Sequence, residues 1–189
     1  MSPSPTASNT VGPFFHLGLD ALAETILADP GLPGERITVL GRVLDGDGLP
    51  VSDAMIETWQ ADWRGIYPHP EDRRAGSCSP GFTGFGRIPT GDDGSFAFTT
   101  IKPGPVPGPG DSLQAPHIVV LIFMRGLLKH LVTRMYFADD PRNEADPILA
   151  LVPPDRRGTL IARPLSGNIQ LLHWNIIVQG PEETVFFEY

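Results

Sequence analysis

The chain has 189 residues, with 14 Lys and Arg against 22 Asp and Glu and a formal net charge of −8. That length suits one domain burying roughly 70% of its unfolded surface, and the acidic balance excludes the basic footprint of a nucleic-acid binder. A hydrophobic content of 41% excludes overall disorder, and no apolar run approaches the ~20 residues of a membrane span.

The opening M-S-P-S-P-T-A-S-N-T has neither a basic n-region nor an apolar h-region, so no signal peptide is expected. Cys78 is the single cysteine, which rules out an intrachain disulfide and suits the reducing cytoplasm. Residues 1–19 read as an N-terminal arm. It is Ser/Pro-rich at first, then T-V-G-P-F-F-H-L-G-L, with a Gly12-Pro13 turn ahead of Phe14, Phe15 and Leu17. Such an arm buries its aromatics on its own domain or on a partner.

Residues 20–189 read as one domain. Asp20 to Ala28 has the cap and apolar spacing of a short helix ended by Pro30-Gly31. Arg36 to Leu44 alternates, placing Ile37, Val39, Gly41 and Val43 on one face of a strand. Asp45-Gly46-Asp47-Gly48 is a hairpin-type turn, resembling a calcium loop only superficially because the downstream glutamate is missing. Ala54 to Ala61 is the next strand. Residues 63–84 read as a loop long enough to carry a functional or interface role. Phe85 to Pro89 and Ser95 to Ile101 flank a second hairpin turn at Gly91-Asp92-Asp93-Gly94.

Ile101 to Gly126 dominates the pattern. Pro103, Pro105, Pro107 and Pro109 alternate with glycines, a stiff loop that excludes helix and central strand. Ile118 to Met124 is then continuously apolar, as in a strand buried on both faces. Lys129 to Phe137 alternates again, with Leu131, Thr133, Met135 and Phe137 opposite His130, Val132, Arg134 and Tyr136. Residues 142–158 read as loop with a helical turn at Ile148 to Val152, and T-L-I-A (Thr159 to Ala162), Leu171 to Val178 and Glu183 to Phe187 as the last strands, these two split by a Gly180-Pro181 turn. About eight to ten short strands with regular turn signals predict an all-β, antiparallel β-sandwich.

Three segments carry a resemblance: E-T-W-Q-A-D (Glu57 to Asp62), K-P-G-P-V-P (Lys102 to Pro107) and A-P-H-I (Ala115 to Ile118). They resemble E-x-W-Q-A, K-P-G-P-Y-P and A-H-I-H of catalytic chains in the intradiol ring-cleavage dioxygenase family, and the likeness runs from Thr10 to the C-terminal E-T-V-F-F-E-Y. It implies that family's β-sandwich, with an N-terminal arm and a short helix. It also implies a locus where catalytic chains hold Fe(III) with two Tyr and two His. Here those four positions are Arg74 (fifteen residues after Trp59), Val106, His117 and Val119, so a single donor remains. Gln114 and Arg134 replace an arginine and a glutamine that the family uses near its substrate.

One imidazole does not hold a ferric ion, and the other donors, His16, His69, His130, His173, Tyr67, Tyr136 and Tyr189, show no neighbouring-ligand spacing. His117 then reads as a hydrogen-bonded strand-entry histidine in a vestigial pocket. No nucleophile elbow, phosphate loop or dinucleotide fingerprint is present, and Cys78 has no evident base.

The resemblance therefore implies a chain inactive alone: the non-iron subunit of a heteromer whose homologous beta subunit holds the Fe(III). That assembly would convert 3,4-dihydroxybenzoate and O2 to 3-carboxy-cis,cis-muconate in aromatic catabolism. The resemblance further implies that this chain lends Thr10, Gly12, Pro13 and Arg125 to the partner's substrate pocket; by residue type alone, Arg125 reads as a surface ion pair. Two alternatives stand beside this reading: a non-enzymatic β-sandwich binding module, and a homo-oligomeric dioxygenase with an altered ligand set, which would be coloured when purified alone.

Overall fold

Alternation of small and β-branched residues sets the strands, and their burial shows which face each presents. In the computed structural model, which describes residues 6–188, Ile37, Val39 and Val43 of β1 (Arg36–Leu44) point into the core, as the sequence predicts. Gly41 on the same face is sterically required: a Cβ there would lie 1.8 Å from the Trp174 carbonyl oxygen. The remaining strands are β2 (Met55–Trp59), β3 (Phe85–Pro89), β4 (Ser95–Ile101), β5 (Val106–Pro107), β6 (Leu113–Gln114), β7 (His117–Phe123), β8 (Leu131–Phe137), β9 (Ile161–Leu165), β10 (Asn168–His173) and β11 (Ile176–Ile177).

One leaf is built on β1, which pairs antiparallel with β4 and parallel with β10 and β11. The other is antiparallel in the order β3-β2-β7-β8. β9 joins them, lying antiparallel to β10 and parallel to β8. The sheet is therefore mixed, which corrects the antiparallel expectation. The inner faces share one core, with Val39 and Phe98 from the first leaf and Ile56, Ile118, Ile122 and Met135 from the second.

Both expected turns form; the first closes a short local ribbon, with Leu44 bridged antiparallel to Pro50, but neither joins two paired strands of the sheet. Asp45 closes its turn by accepting hydrogen bonds from Asp47 N at 2.9 Å and Leu49 N at 2.8 Å. Gly94 N likewise donates to Gly91 O at 2.8 Å. Each turn sends the chain into the opposite leaf, because β2 and β3 pair with one another while β1 pairs with β4. The helix expected at Asp20 to Ala28 is also displaced. The α-helix is α1, Pro13–Leu19, with Gly12 as N-cap and proline at its first position. Only Asp20–Leu22 continues it as a 3-10 turn. Residues 24–28 run extended instead. Glu24 exchanges hydrogen bonds with Arg87 on β3, and Leu27 N donates to Thr99 O on β4, so this segment ties the two leaves together.

Three further expectations change. The stiff proline loop contains a two-residue ribbon, β5 against β6. β7 is fully buried at Ile118, Val120 and Ile122 but only half-buried at Val119, Leu121 and Phe123. Glu183 to Phe187 runs extended without becoming a strand, held by Phe187 N donating to Val132 O at 2.8 Å and Thr133 Oγ1 donating to Val185 O at 2.7 Å. Among the described residues no helix is long and apolar enough to cross a membrane. The Ser/Pro-rich opening falls partly outside the described residues, at positions 1–5.

Candidate functional site

The four positions to which the resemblance assigns metal ligands lie around the junction of β5, β7 and the 63–84 loop. Val106 is buried on β5, opposite Gln114. His117 and Val119 follow each other on one face of β7, opposite Tyr136 and Arg134 of β8. Arg74 reaches the same region through the loop. Its Nη2 donates to the Gly65 carbonyl at 2.7 Å, and Gly65 is pressed so closely on the proline loop that a Cβ would meet Pro105 O at 1.9 Å. Gly65 also has φ +74°, a left-handed conformation that other residues adopt only with strain.

The donor set does not fit a ferric ion. Val106 and Val119 present hydrocarbon. Arg74 is a loop staple, its Nε and Nη2 gripping the Asp72 carboxylate at 3.0 and 2.9 Å. That contact holds the Asp72 carboxyl at a pKa of about 2. His117 keeps its Nδ1 on the Ala115 carbonyl at 2.8 Å, which assigns the proton to Nδ1. Burial first, and the nearby Arg134 cation second, lower its pKa to about 4, so the ring is neutral at pH 7. The other imidazoles are dispersed: His16 lies 3.5 Å from Asp20, His69 meets Trp59 edge-on, His130 lies tilted against Phe123, and His173 is exposed on β10. Tyr67 stacks on Trp59, and Tyr189 lies outside the described residues. Among the described residues no three His, Cys, Asp or Glu side chains cluster at metal-binding range.

A polar network lies beside His117. Arg134 Nη1 donates to Gln114 Oε1 at 2.6 Å, and its guanidinium stands 5.9 Å from the Phe187 ring. Tyr136 donates its hydroxyl to Asp146 at 3.1 Å, and burial pushes its phenol far above the ordinary range. Asp146 is wholly buried and accepts from Ala115 N at 2.7 Å, Ile148 N at 2.9 Å and Leu149 N at 2.7 Å. The sequence reading passed over Asp146; its D-P dipeptide ahead of a helical turn is the cap signal that marks it. The W-Q-A-D motif is likewise structural. Gln60 bridges the leaves, donating to Ile101 O at 2.9 Å and accepting from Thr100 at 2.9 Å. Asp62 O accepts from Gly104 N at 2.9 Å, joining this motif to the proline loop.

Of the second group of candidate residues, Thr10 and Arg125 lie side by side at the outer end of β7, and Gly12 and Pro13 follow Thr10 in the arm. Thr10 Oγ1 accepts from Gly126 N at 2.7 Å, which sets the arm beside Arg125. Phe15 turns inward onto Phe123, with ring centroids 5.4 Å apart, while Phe14 and Leu17 point outward, Phe14 being 85% exposed. A Cβ on Gly12 would meet nothing within 4 Å, so nothing in this chain alone requires a glycine there. A cavity of about 750 Å3 lies under the arm, bounded by Val11, Phe15, Phe123, His130 and Phe187. Arg125 Nε stands 3.1 Å from Asp53 Oδ2, and the arginine side chain is 75% exposed. The two groups of positions are thus distinct: one surrounds the buried His117, with hydrocarbon at Val106 and Val119 and an ion-paired Arg74, and the other is an exposed edge carrying a cation and an apolar arm.

The profile of a family described as Dioxygenase matches residues 11–180. The chain is similar to the protocatechuate 3,4-dioxygenase alpha chain of Burkholderia cepacia, 43% identical over a 197-residue alignment covering 97% of this chain and 96% of that one. It is also similar to the protocatechuate 3,4-dioxygenase beta chain of Burkholderia cepacia, 42% identical over 132 residues, covering 69% of this chain and 56% of the relative. Its fold is similar to the dioxygenase domain of a carbohydrate-binding fusion protein from Streptomyces sp. SirexAA-E, with a TM-score of 0.64 and 26% identity over 95% of this chain and 98% of that chain.

Proposed function

We propose a function from one premise: the chain belongs to the intradiol dioxygenase family. It acts as the alpha-type, non-iron subunit of a protocatechuate 3,4-dioxygenase, in a heteromer with a homologous beta subunit. The assembly adds both atoms of O2 to 3,4-dihydroxybenzoate and opens the ring to 3-carboxy-cis,cis-muconate. Iron serves the family as the Lewis acid that withdraws electron density from the bound catecholate. In our reading the beta subunit holds it, because this chain's locus has hydrocarbon at Val106 and Val119 and an ion-paired guanidinium at Arg74.

The observation that carries the reading is the edge at β7: Thr10 is hydrogen-bonded to Gly126, next to the exposed Arg125, and Gly12, Pro13 and the exposed Phe14 and Leu17 follow Thr10 in the arm. The arm, residues 1–19, seats on the partner through these apolar side chains. Gly12 and Pro13 form a wall of the partner's pocket, and Arg125 meets the substrate carboxylate. Guanidinium suits that task because its planar fork matches a carboxylate.

The test is Arg125→Ala in the iron-loaded heteromer. Losing a charge-assisted hydrogen bond costs about 1.5–3 kcal/mol, or about 10- to 150-fold in kcat/KM. That loss is expected for protocatechuate and not for catechol, which lacks the carboxylate. Equal losses on the two substrates overturn the role of Arg125.

A further inference from the structure

Asp53 and Arg125 meet because of strand register. In the antiparallel ladder of β2 and β7, Met55 stands opposite Phe123. The same register continued by two residues, past the end of each strand, sets Asp53 opposite Arg125. The side chains close that extension as an ion pair, Nε to Oδ2 at 3.1 Å. Among the described residues Asp53 is the ion-pair partner of Arg125, whose side chain is otherwise 75% exposed. Asp53 is only 31% exposed, and its Oδ1 is buried without accepting a hydrogen bond. A half-buried carboxylate with one oxygen unsatisfied is a poor device for stability, since burial of an unpaired polar atom is costly. It is a good device for holding a neighbour's aim.

We propose that Asp53 is a positioning residue for carboxylate recognition: its carboxylate pairs by charge with Arg125 on the Nε side, leaving the Nη1–Nη2 fork for the carboxylate of the aromatic substrate. This rests on the reading that Arg125 binds that carboxylate. A guanidinium has two edges on which it can pair with a carboxylate. Asp53 occupies the Nε side, so the substrate takes the other. The ion pair restricts a long, exposed side chain before substrate arrives, so less ordering remains to oppose binding. The negative charge of Asp53 also opposes the approach of an anion. With Arg125 so exposed that opposition is screened, and preorganisation dominates.

The test uses the iron-loaded heteromer with three changes in this chain: Asp53→Asn, Asp53→Glu, and Asp53→Asn combined with Arg125→Ala. Asp53→Asn keeps the shape and removes the charge, and Asp53→Glu keeps the charge. With Asp53→Asn, KM for protocatechuate should rise about three- to tenfold, with kcat unchanged and catechol kinetics untouched. Asp53→Glu should recover most of the KM. In the Arg125→Ala background, Asp53→Asn should add nothing, because its partner is gone. Wild-type KM for Asp53→Asn, equal losses on protocatechuate and catechol, or a further loss in the Arg125→Ala background would each overturn the assignment. If Arg125→Ala alone discriminates between the substrates while Asp53→Asn does not, Asp53 fails and the parent reading stands. If Arg125→Ala does not discriminate, both fall together.

Discussion

Asp146 shows how a charge is kept inside this molecule. Its carboxylate is wholly buried yet receives three backbone N–H groups and the Tyr136 hydroxyl. It therefore ties β8, the entry to β7 and the turn at residues 148–149 to one point. Asp146→Ala strands those donors in the interior, where each unsatisfied group is costly. We expect a loss of about 3–5 kcal/mol, read as a lower urea midpoint with unchanged slope. His117, next to it, gives a pH signature. Its folded pKa of about 4 lies below the ordinary 6.5, so the unfolded chain takes up a proton first as pH falls. The stability contributed by keeping it neutral is fully present above pH 6.5 and is lost between pH 6.5 and 4. The loss approaches about 3 kcal/mol, since one pKa unit is 1.36 kcal/mol. Urea midpoints of the wild-type chain and His117→Asn, taken from pH 7 to 4, should differ in slope across that window. Parallel curves would show that the buried ring is not what titrates.

At the scale of elements, strands were legible and partners were not. Alternation in R-I-T-V-L-G-R-V-L and L-V-T-R-M-Y-F is a local property; it located β1 with its inward face, and it located β8, which is buried on both faces from Thr133 onward. Which strand lies beside which is decided by burial across the core, so the turns at Asp45 to Gly48 and Gly91 to Gly94, hairpin-type in sequence, carry the chain between leaves. Residues 24–28 carry helical propensity, but backbone pairing with Arg87 and Thr99 outweighs it. The Gly12-Pro13 signal belonged to a helix start and was read as a turn. At the locus of His117, motif positions were legible from sequence, whereas the network of Gln114, Arg134 and Asp146 beside it depends on three separate segments. The arm yields a prediction of its own. Phe15 packs on Phe123 and Phe14 is exposed, so in the isolated chain Phe15→Ala should lower the thermal midpoint and Phe14→Ala should leave it nearly unchanged. In the heteromer the order should reverse for assembly, with Phe14→Ala weakening subunit association, measured by sedimentation. Equal assembly for both variants would return the arm to a strap on its own domain.

The whole molecule leaves apolar side chains uncovered along its N-terminal segment: Phe14, Leu17, Leu22 and Ile26 are each more than half exposed. The outward face of β7 is only half-buried as well, although its sequence is that of a strand covered on both sides. Scattered single apolar residues are ordinary on any surface. Four within thirteen residues of one segment is a concentration of exposed apolar side chains of the kind that marks an interface. Obligate interfaces are large and apolar, commonly above about 2,000 Å2, and a subunit built for one does not stay alone at high concentration. We therefore expect the isolated chain to sediment as concentration-dependent aggregates or oligomers despite a net charge of −8 that opposes self-association. Co-expression with an iron-bearing homologue should convert these to one defined mixed species. Phe14→Asp with Leu17→Asp should make the isolated chain monomeric and, by the same change, prevent entry into the mixed species. A wild-type chain that stays monomeric at high concentration would mean that this face needs no partner, and the reading of an obligate heteromer would fail with it.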